Sequence, residues 1–270
     1  MPLRITESIG SWRTLLLVIL CSVATIGCRD EPRFKGRSLS KWVALYQTSR
    51  EDSEEDKQAT EALREIGTNA LPYLIKWIAE TESRQPYLGS ADAFGVLGTN
   101  AAPAVPELAL LLASTNRLAA TLAGTALGHI GKPALPALIA AYTNGRFRVG
   151  TEAALALVEL GTNARPAIPL LLRDLNHPNH FYRERAADTL GKLQMEPEIV
   201  VPALTRLLGD DSSAARFITL LRLGDFGPQA RSALPAISNF LTHAEEEVRK
   251  MATNVIRKIA LEGLDQPVSR

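Results

Sequence analysis

The stretch Gly161-Thr162-Asn163-Ala164-Arg165-Pro166-Ala167-Ile168-Pro169-Leu170-Leu171-Leu172 decides how the rest of the chain is read, because it recurs. It returns as Gly98-Thr99-Asn100-Ala101-Ala102-Pro103-Ala104-Val105-Pro106-Glu107-Leu108, and in shortened form from Gly67 to Leu74 and from Gly131 to Leu138. A looser copy runs from Gly227 to Pro235. Glycine after an apolar periodic run supplies a left-handed residue that ends one helix, and proline suits a first turn whose N–H has no partner to lose. Thr or Asn between them is expected to cap the second helix. Each copy therefore reads as a helix, a tight corner and another helix.

Working outward, the second-helix prolines align as Pro72, Pro106, Pro136, Pro169, Pro202 and Pro235, with spacings of 34, 30, 33, 33 and 33 residues. A period of this size signals a stacked array in which no unit can bury its apolar face alone. First helices are expected near 54–66, 88–97, 117–130, 147–160, 181–193, 212–224 and 245–261. Second helices are expected near 71–80, 104–113, 134–142, 167–175, 199–208 and 233–242. Ser53-Glu54-Glu55-Asp56 offers a capping-box-like start to the first of these helices. Before it, Leu39, Trp42, Val43 and Tyr46 follow one helical face and mark an N-terminal cap. The charged final helix, beginning Glu245-Glu246-Glu247, reads as the C-terminal cap. The fold expected is all-α, a right-handed α-solenoid of about six two-helix repeats with capping helices, over residues 38–270.

Positions two and six after each aligned proline should form one buried stripe. They are Leu74 and Ile78, Leu108 and Leu112, Leu138 and Tyr142, Leu171 and Leu175, Leu204 and Leu208, and Ile237 and Leu241. The column four residues after each proline is left outside and reads Lys76, Leu110, Ala140, Arg173, Arg206 and Asn239. Eight after, it reads Glu80, Ser114, Asn144, His177, Asp210 and His243. Lys76, Arg173, Arg206 and Asn239 are the partner-binding candidates, since arginine can grip carboxylates in a two-pronged way. The first-helix face around Arg183 and Arg249 is the other surface to consider.

The repeats resemble the short bacterial HEAT-like repeats first described in phycobilisome lyases. The residues that carry the resemblance are Arg183-Glu184-Arg185-Ala186-Ala187-Asp188-Thr189-Leu190-Gly191-Lys192-Leu193, Val248-Arg249-Lys250-Met251-Ala252, and the Ala-Leu-Pro-Ala turns at Ala134 and Ala233. It covers about residues 54–261. The fifth copy departs from it, with Gln194-Met195-Glu196-Pro197 where the glycine joint belongs. The resemblance implies the solenoid and a second-helix concave wall, but assigns no chemistry, because the motif residues pack and cap. Ankyrin repeats would carry Thr-Pro-Leu-His, and tetratricopeptide repeats need aromatics in register, whereas aromatic residues make up 6% of this chain.

At the N-terminus, Arg4 and Arg13 precede an uncharged run from Thr14 to Gly27, too short to span a bilayer comfortably but suited to a signal peptide. It ends in Gly27-Cys28, which resembles the lipobox of bacterial lipoproteins, although Thr25 and Ile26 stand where Leu and a small residue are usual. The organisation expected is a signal peptide over 1–27, a tether over 28–37 and lipidation at Cys28. Cleavage near Ser22-Val23-Ala24 or a retained anchor are the alternatives.

The net charge of +1 falls to zero when residues 1–27 are removed with Arg4, Arg13 and Glu7, and a neutral chain lacks the basic excess of a nucleic-acid binder. Cys21 and Cys28 are the two cysteines, which leaves the repeats without thiolate ligands or disulfides. His129, His177, His180 and His243 are followed by Ile130, Pro178, Phe181 and Ala244, so the His-Glu pairs of HEAT-like di-iron hydroxylases do not occur. His177 and His180 stand close in a loop, without further ligands nearby. No cofactor, metal or catalytic residue is expected. The reading is a non-enzymatic, exported scaffold that binds a protein or peptide partner, with a lyase-like protein holding a small ligand or chromophore in its groove as the alternative.

Overall fold

The computed structural model describes residues 30–81 and 89–261. Its α-helices are α1 (Leu39–Thr48), α2 (Glu54–Ile66), α3 (Leu71–Ala79), α4 (Gly89–Leu97), α5 (Val105–Leu111), α6 (Arg117–Ile130), α7 (Leu135–Asn144), α8 (Phe147–Glu159), α9 (Ile168–Asp174), α10 (His180–Leu193), α11 (Pro197–Leu207), α12 (Ser213–Asp225), α13 (Leu234–Ser238) and α14 (Glu246–Leu261). They form an all-α solenoid. First helices (α2, α4, α6, α8, α10, α12, α14) pack side by side in one layer, and the shorter second helices (α3, α5, α7, α9, α11, α13) form the other. One apolar cluster runs between the layers from Leu39 to Ile259.

The joint works by a different device from the one its sequence suggests. Gly67, Gly98, Gly131, Gly161 and Gly227 do take positive φ, between 52° and 84°. Thr and Asn, however, cap nothing there. The residues after each glycine wind into a 3-10 turn, and Ala70, Ala104, Ala134, Ala167 and Ala233 precede the second helices without a side-chain cap. The reason is that the 3-10 turn already supplies backbone acceptors: Thr68 O for Leu71 N–H, Ala102 O for Val105 N–H, and Arg165 O for Ile168 N–H. The joint alanines are small because they are buried, as Ala101, Ala164 and Ala230 are. Four first helices, α2, α6, α10 and α12, carry side-chain caps, from Ser53, Asn116, Asn179 and Ser212.

The fifth joint differs again. Gln194 and Glu196 take the left-handed conformation at φ of 50° and 51°. With no 3-10 turn between, α11 starts at Pro197 rather than near 199, and Pro202 lies inside it.

Eleven of the twelve stripe positions are buried. Leu241 is 41% exposed. The last second helix stops at Ser238 and tightens into a 3-10 turn over Asn239–Thr242, which rotates Leu241 away from the core. Residues 30–37, expected within a tether, include a docked hairpin. Arg33–Phe34 pairs with Arg37–Ser38 across Lys35 and Gly36, both at positive φ. Trp42 Nε1 donates to Phe34 O, and Lys35 pairs with Glu61 on α2. Residues 1–29, including Cys28, lie outside the described residues.

Two features of the first-helix layer set its geometry. The residue three before each joint glycine is itself glycine at Gly95, Gly128 and Gly224, and Gly191 holds the same place before Gln194. A Cβ at Gly128 would lie 2.5 Å from Glu159 Cβ, and one at Gly191 would lie 2.3 Å from Arg222 Cβ, so the missing methyl lets neighbouring first helices touch. In addition, Arg183, Arg216 and Arg249, 33 residues apart, each reach back to the two carbonyls that end the preceding turn. Arg183 is thereby buried, with its guanidinium also paired to Asp210 and Asp211. It is not an open surface residue, because desolvating it is offset by those charge-assisted bonds.

Candidate functional site

The predicted column falls on the second-helix face, where Lys76, Arg173, Arg206 and Asn239 are all exposed. They do not form one uniform row. Arg173 is turned onto buried Asp174, donating through Nε and Nη2 at 3.1 and 3.0 Å. Asn239 sits in the final 3-10 turn rather than on a helix. Arg206 makes no ion pair among the described residues, and with His177, Glu198 and Ile199 it lines an open depression of about 800 Å³ between α9 and α11. Asp210, in the outer column, is committed to Arg183. His177 accepts from Asn179 N–H and stacks on Tyr182, with ring centroids 4.2 Å apart. His180 and Ser212 both bind Glu184 Oε1, at 2.7 and 2.9 Å. These imidazoles hold the turn between two repeats together.

The sequence reading missed a second site, on the first-helix face. α8, α10, α12 and α14 border a half-open apolar groove of about 620 Å³. Phe147, Leu155, Phe181 and Phe217 all line it while remaining 40–51% exposed. Exposed apolar groups scattered singly are ordinary, whereas these four large ones are gathered in one groove. The ring of Phe147 packs 5.8 Å from Phe181 and 5.3 Å from Tyr182, centroid to centroid.

Arg185 lines the same groove and is 7% exposed. Its guanidinium lies 4.0 Å from the centroid of the Tyr142 ring, 4.7 Å from Tyr182 and 5.5 Å from Phe147. Gly150 makes room for it, since a Cβ there would lie 2.2 Å from Nη1. Among the described residues it forms one long hydrogen bond, to Phe147 O at 3.5 Å, and no ion pair; its Nε has no partner. Cation–π contact offsets part of the cost of burying such a charge. Burial pushes the Tyr142 hydroxyl up to about 12, with Arg185 pulling it back and Asp174 pushing it further up. Of the acids on the groove, Asp188 is engaged by Lys192 and Arg222, and Glu184 by His180 and Ser212.

The spacing held two signals for this site. Phe147 and Phe181 lie 34 residues apart, one repeat, and Arg185 stands one repeat after Glu152, another buried charged residue.

Comparison with known proteins agrees with the repeat reading. Residues 105–191 match the family model described as HEAT repeats. Similar solved structures include the complex of CpcE and CpcF of phycocyanin lyase from Nostoc sp. PCC7120, at 20% identity over 57% of this chain and 98% of that one, with a TM-score of 0.49. A computationally designed armadillo repeat protein for modular peptide recognition is 18% identical over 82% of this chain and 99% of its own, with a TM-score of 0.42. An engineered protein is 22% identical over 82% and 96%, with a TM-score of 0.43. No curated protein matches the chain.

Proposed function

We propose that this HEAT-type solenoid is a non-enzymatic scaffold, exported and held at a bacterial membrane by lipid on Cys28, that binds a protein or peptide partner on its surface. The observation that carries the binding role is the gathering of Phe147, Leu155, Phe181 and Phe217 in one exposed groove, while Glu184 and Asp188 on the same groove are engaged by neighbouring side chains. His177, His180, Glu184 and Asp210 tie turns together. On the second-helix face, Lys76, Arg173, Arg206 and Asn239 offer a mildly basic row for an acidic or carbonyl-rich segment, with Arg206 the least engaged of the two arginines.

Lipidation would give the anchor two or more acyl chains on one residue, enough for stable attachment where a single chain is marginal. Mass spectrometry of the mature N-terminus tests it. A lipid-modified Cys28 at the first position is expected, and an unmodified Cys28 inside an intact chain would refute it. Charge reversal of Arg173 and Arg206 to Glu tests the row. Surface changes of this kind move stability by about half a kcal/mol, so partner capture is expected to fall while the fold persists.

A small ligand or chromophore in the first-helix groove is the second reading, favoured by the size of that groove. Small-molecule sites generally enclose most of their ligand, and this groove leaves Phe147, Leu155, Phe181 and Phe217 40–51% exposed. A chain segment laid across it suits the shape better.

A further inference from the structure

We infer that the first-helix groove docks a protein segment bringing at least two large apolar side chains and one carboxylate, the carboxylate pairing with Arg185. This rests on the scaffold reading and gives it a surface and a chemistry.

The apolar part follows from convergence. Phe147 and Leu155 on α8, Phe181 on α10 and Phe217 on α12 come from three consecutive repeats, yet line a single groove. An occupant that covers all of them spans those repeats, which favours an extended or helical segment over a compact ligand. Covering the rings would also remove from water the large apolar side chains that α8, α10 and α12 leave exposed.

The carboxylate follows from charge. Arg185 is a nearly buried cation with three aromatic rings around it and no acid in ion-pair range among the described residues. Arg216, also on the groove, is held by the carbonyls of Asp210 and Asp211 and likewise lacks an acid partner. Glu184 and Asp188 are already bound by neighbours, so they do not compete for these guanidinium groups. Glu245, at the α14 end, has no cation in ion-pair range among the described residues and disfavours a second carboxylate there. The segment is therefore oriented, with its acid away from the α14 end.

The test uses the full-length chain in detergent and a random peptide library displayed on phage. Enriched peptides are expected to share aromatic or leucine residues and an Asp or Glu. With a synthetic copy of an enriched peptide, changing its acid to the amide should weaken binding to the wild type about tenfold, and to Arg185→Gln less than about twofold. Phe181→Ser combined with Phe217→Ser, at exposed positions, should also weaken it about tenfold. If Arg185→Gln fails to fold, the peptide substitution and the phenylalanine pair still decide the matter.

Enrichment of basic peptides, or equal binding by acid and amide peptides, overturns the inference. Binding that survives the phenylalanine variants but is lost in Arg173→Glu/Arg206→Glu overturns it while leaving the scaffold reading intact. Self-association that Phe217→Ser abolishes would give the groove to a second copy of the chain. Saturable binding of oleate with no peptide enriched would make the groove a small-molecule pocket and count against both readings.

Discussion

Alanine at Gly128 and at Gly95 should move stability in opposite directions, although the two glycines occupy the same place in their repeats. Glycine inside a helix costs about 0.5–1 kcal/mol relative to alanine, so both substitutions start with that gain. At Gly95 the new Cβ meets nothing closer than His129, at 3.6 Å, an ordinary contact. The gain should survive, and Gly95→Ala should be neutral or stabilising by up to about 0.5 kcal/mol. At Gly128 the new Cβ would stand 2.5 Å from Glu159 Cβ and 3.4 Å from Ala156 O. A Cβ is fixed to its backbone and cannot swing aside, so α6 and α8 must separate. Overpacking of this sort costs about 1–3 kcal/mol, which exceeds the helix gain and leaves a net loss of about 1–2 kcal/mol. Urea melts of the two variants beside the wild type measure this, with midpoints compared because stacked repeats need not unfold in one step. A Gly128→Ala chain as stable as the wild type would refute the close first-helix packing.

Leu171→Ala and Leu204→Ala, both at fully buried positions, should each cost about 2–5 kcal/mol in the same melts, while Leu241→Ala should cost well under 1 kcal/mol. Arg183→Met removes the clamp and strands Asp210, which still accepts Ser212 N–H; a loss of roughly 2–4 kcal/mol is expected. Burial pushes the Asp210 carboxyl up, but hydrogen bonds from the Arg183 guanidinium and the Ser212 N–H, with the Arg183 charge, outweigh it and hold the group below its ordinary value of 3.8. Its folded pKa is depressed, so its contribution is fully present well above pH 3.8 and is lost as pH falls through the lower folded value. Acid unfolding curves should therefore be shallower for Arg183→Met than for the wild type. Tyr142 titrates in the opposite sense. Its folded form keeps the proton to about pH 12, so stability should fall as pH rises above 10, and Tyr142→Phe should lessen that fall.

The proline register was readable because one period places an apolar residue on the same face in every repeat, and packing enforces that register six times over. Leu241 escaped because a 3-10 turn advances more per residue than an α-helix does, which a proline count cannot register. Thr162 and Asn163 have the chemistry of caps, but a backbone turn supplies the same acceptors, and composition does not distinguish the two. Arg183 looked like a surface charge because its acid partners, Asp210 and Asp211, lie in the next turn and meet it only through the stacking of repeats, while the His177 and Pro178 carbonyls are backbone groups that side-chain chemistry does not reveal. The groove was hidden for the same reason. Phe147, Phe181 and Phe217 are separated by a repeat in the chain and become neighbours only when the first helices lie side by side. The hairpin of residues 33–38 was disguised by its polar composition, which the Trp42 contact with Phe34 overrides.

Site-specific photocrosslinking in the native membrane tests the scaffold role most directly, with the crosslinking residue placed in turn at Phe181, Phe217 and Arg206. A single partner band common to the Phe181 and Phe217 positions, and lost when Phe147→Ser is added, is the expected result. The absence of a discrete protein adduct at all three positions would contradict the claim that this solenoid works by holding a protein partner.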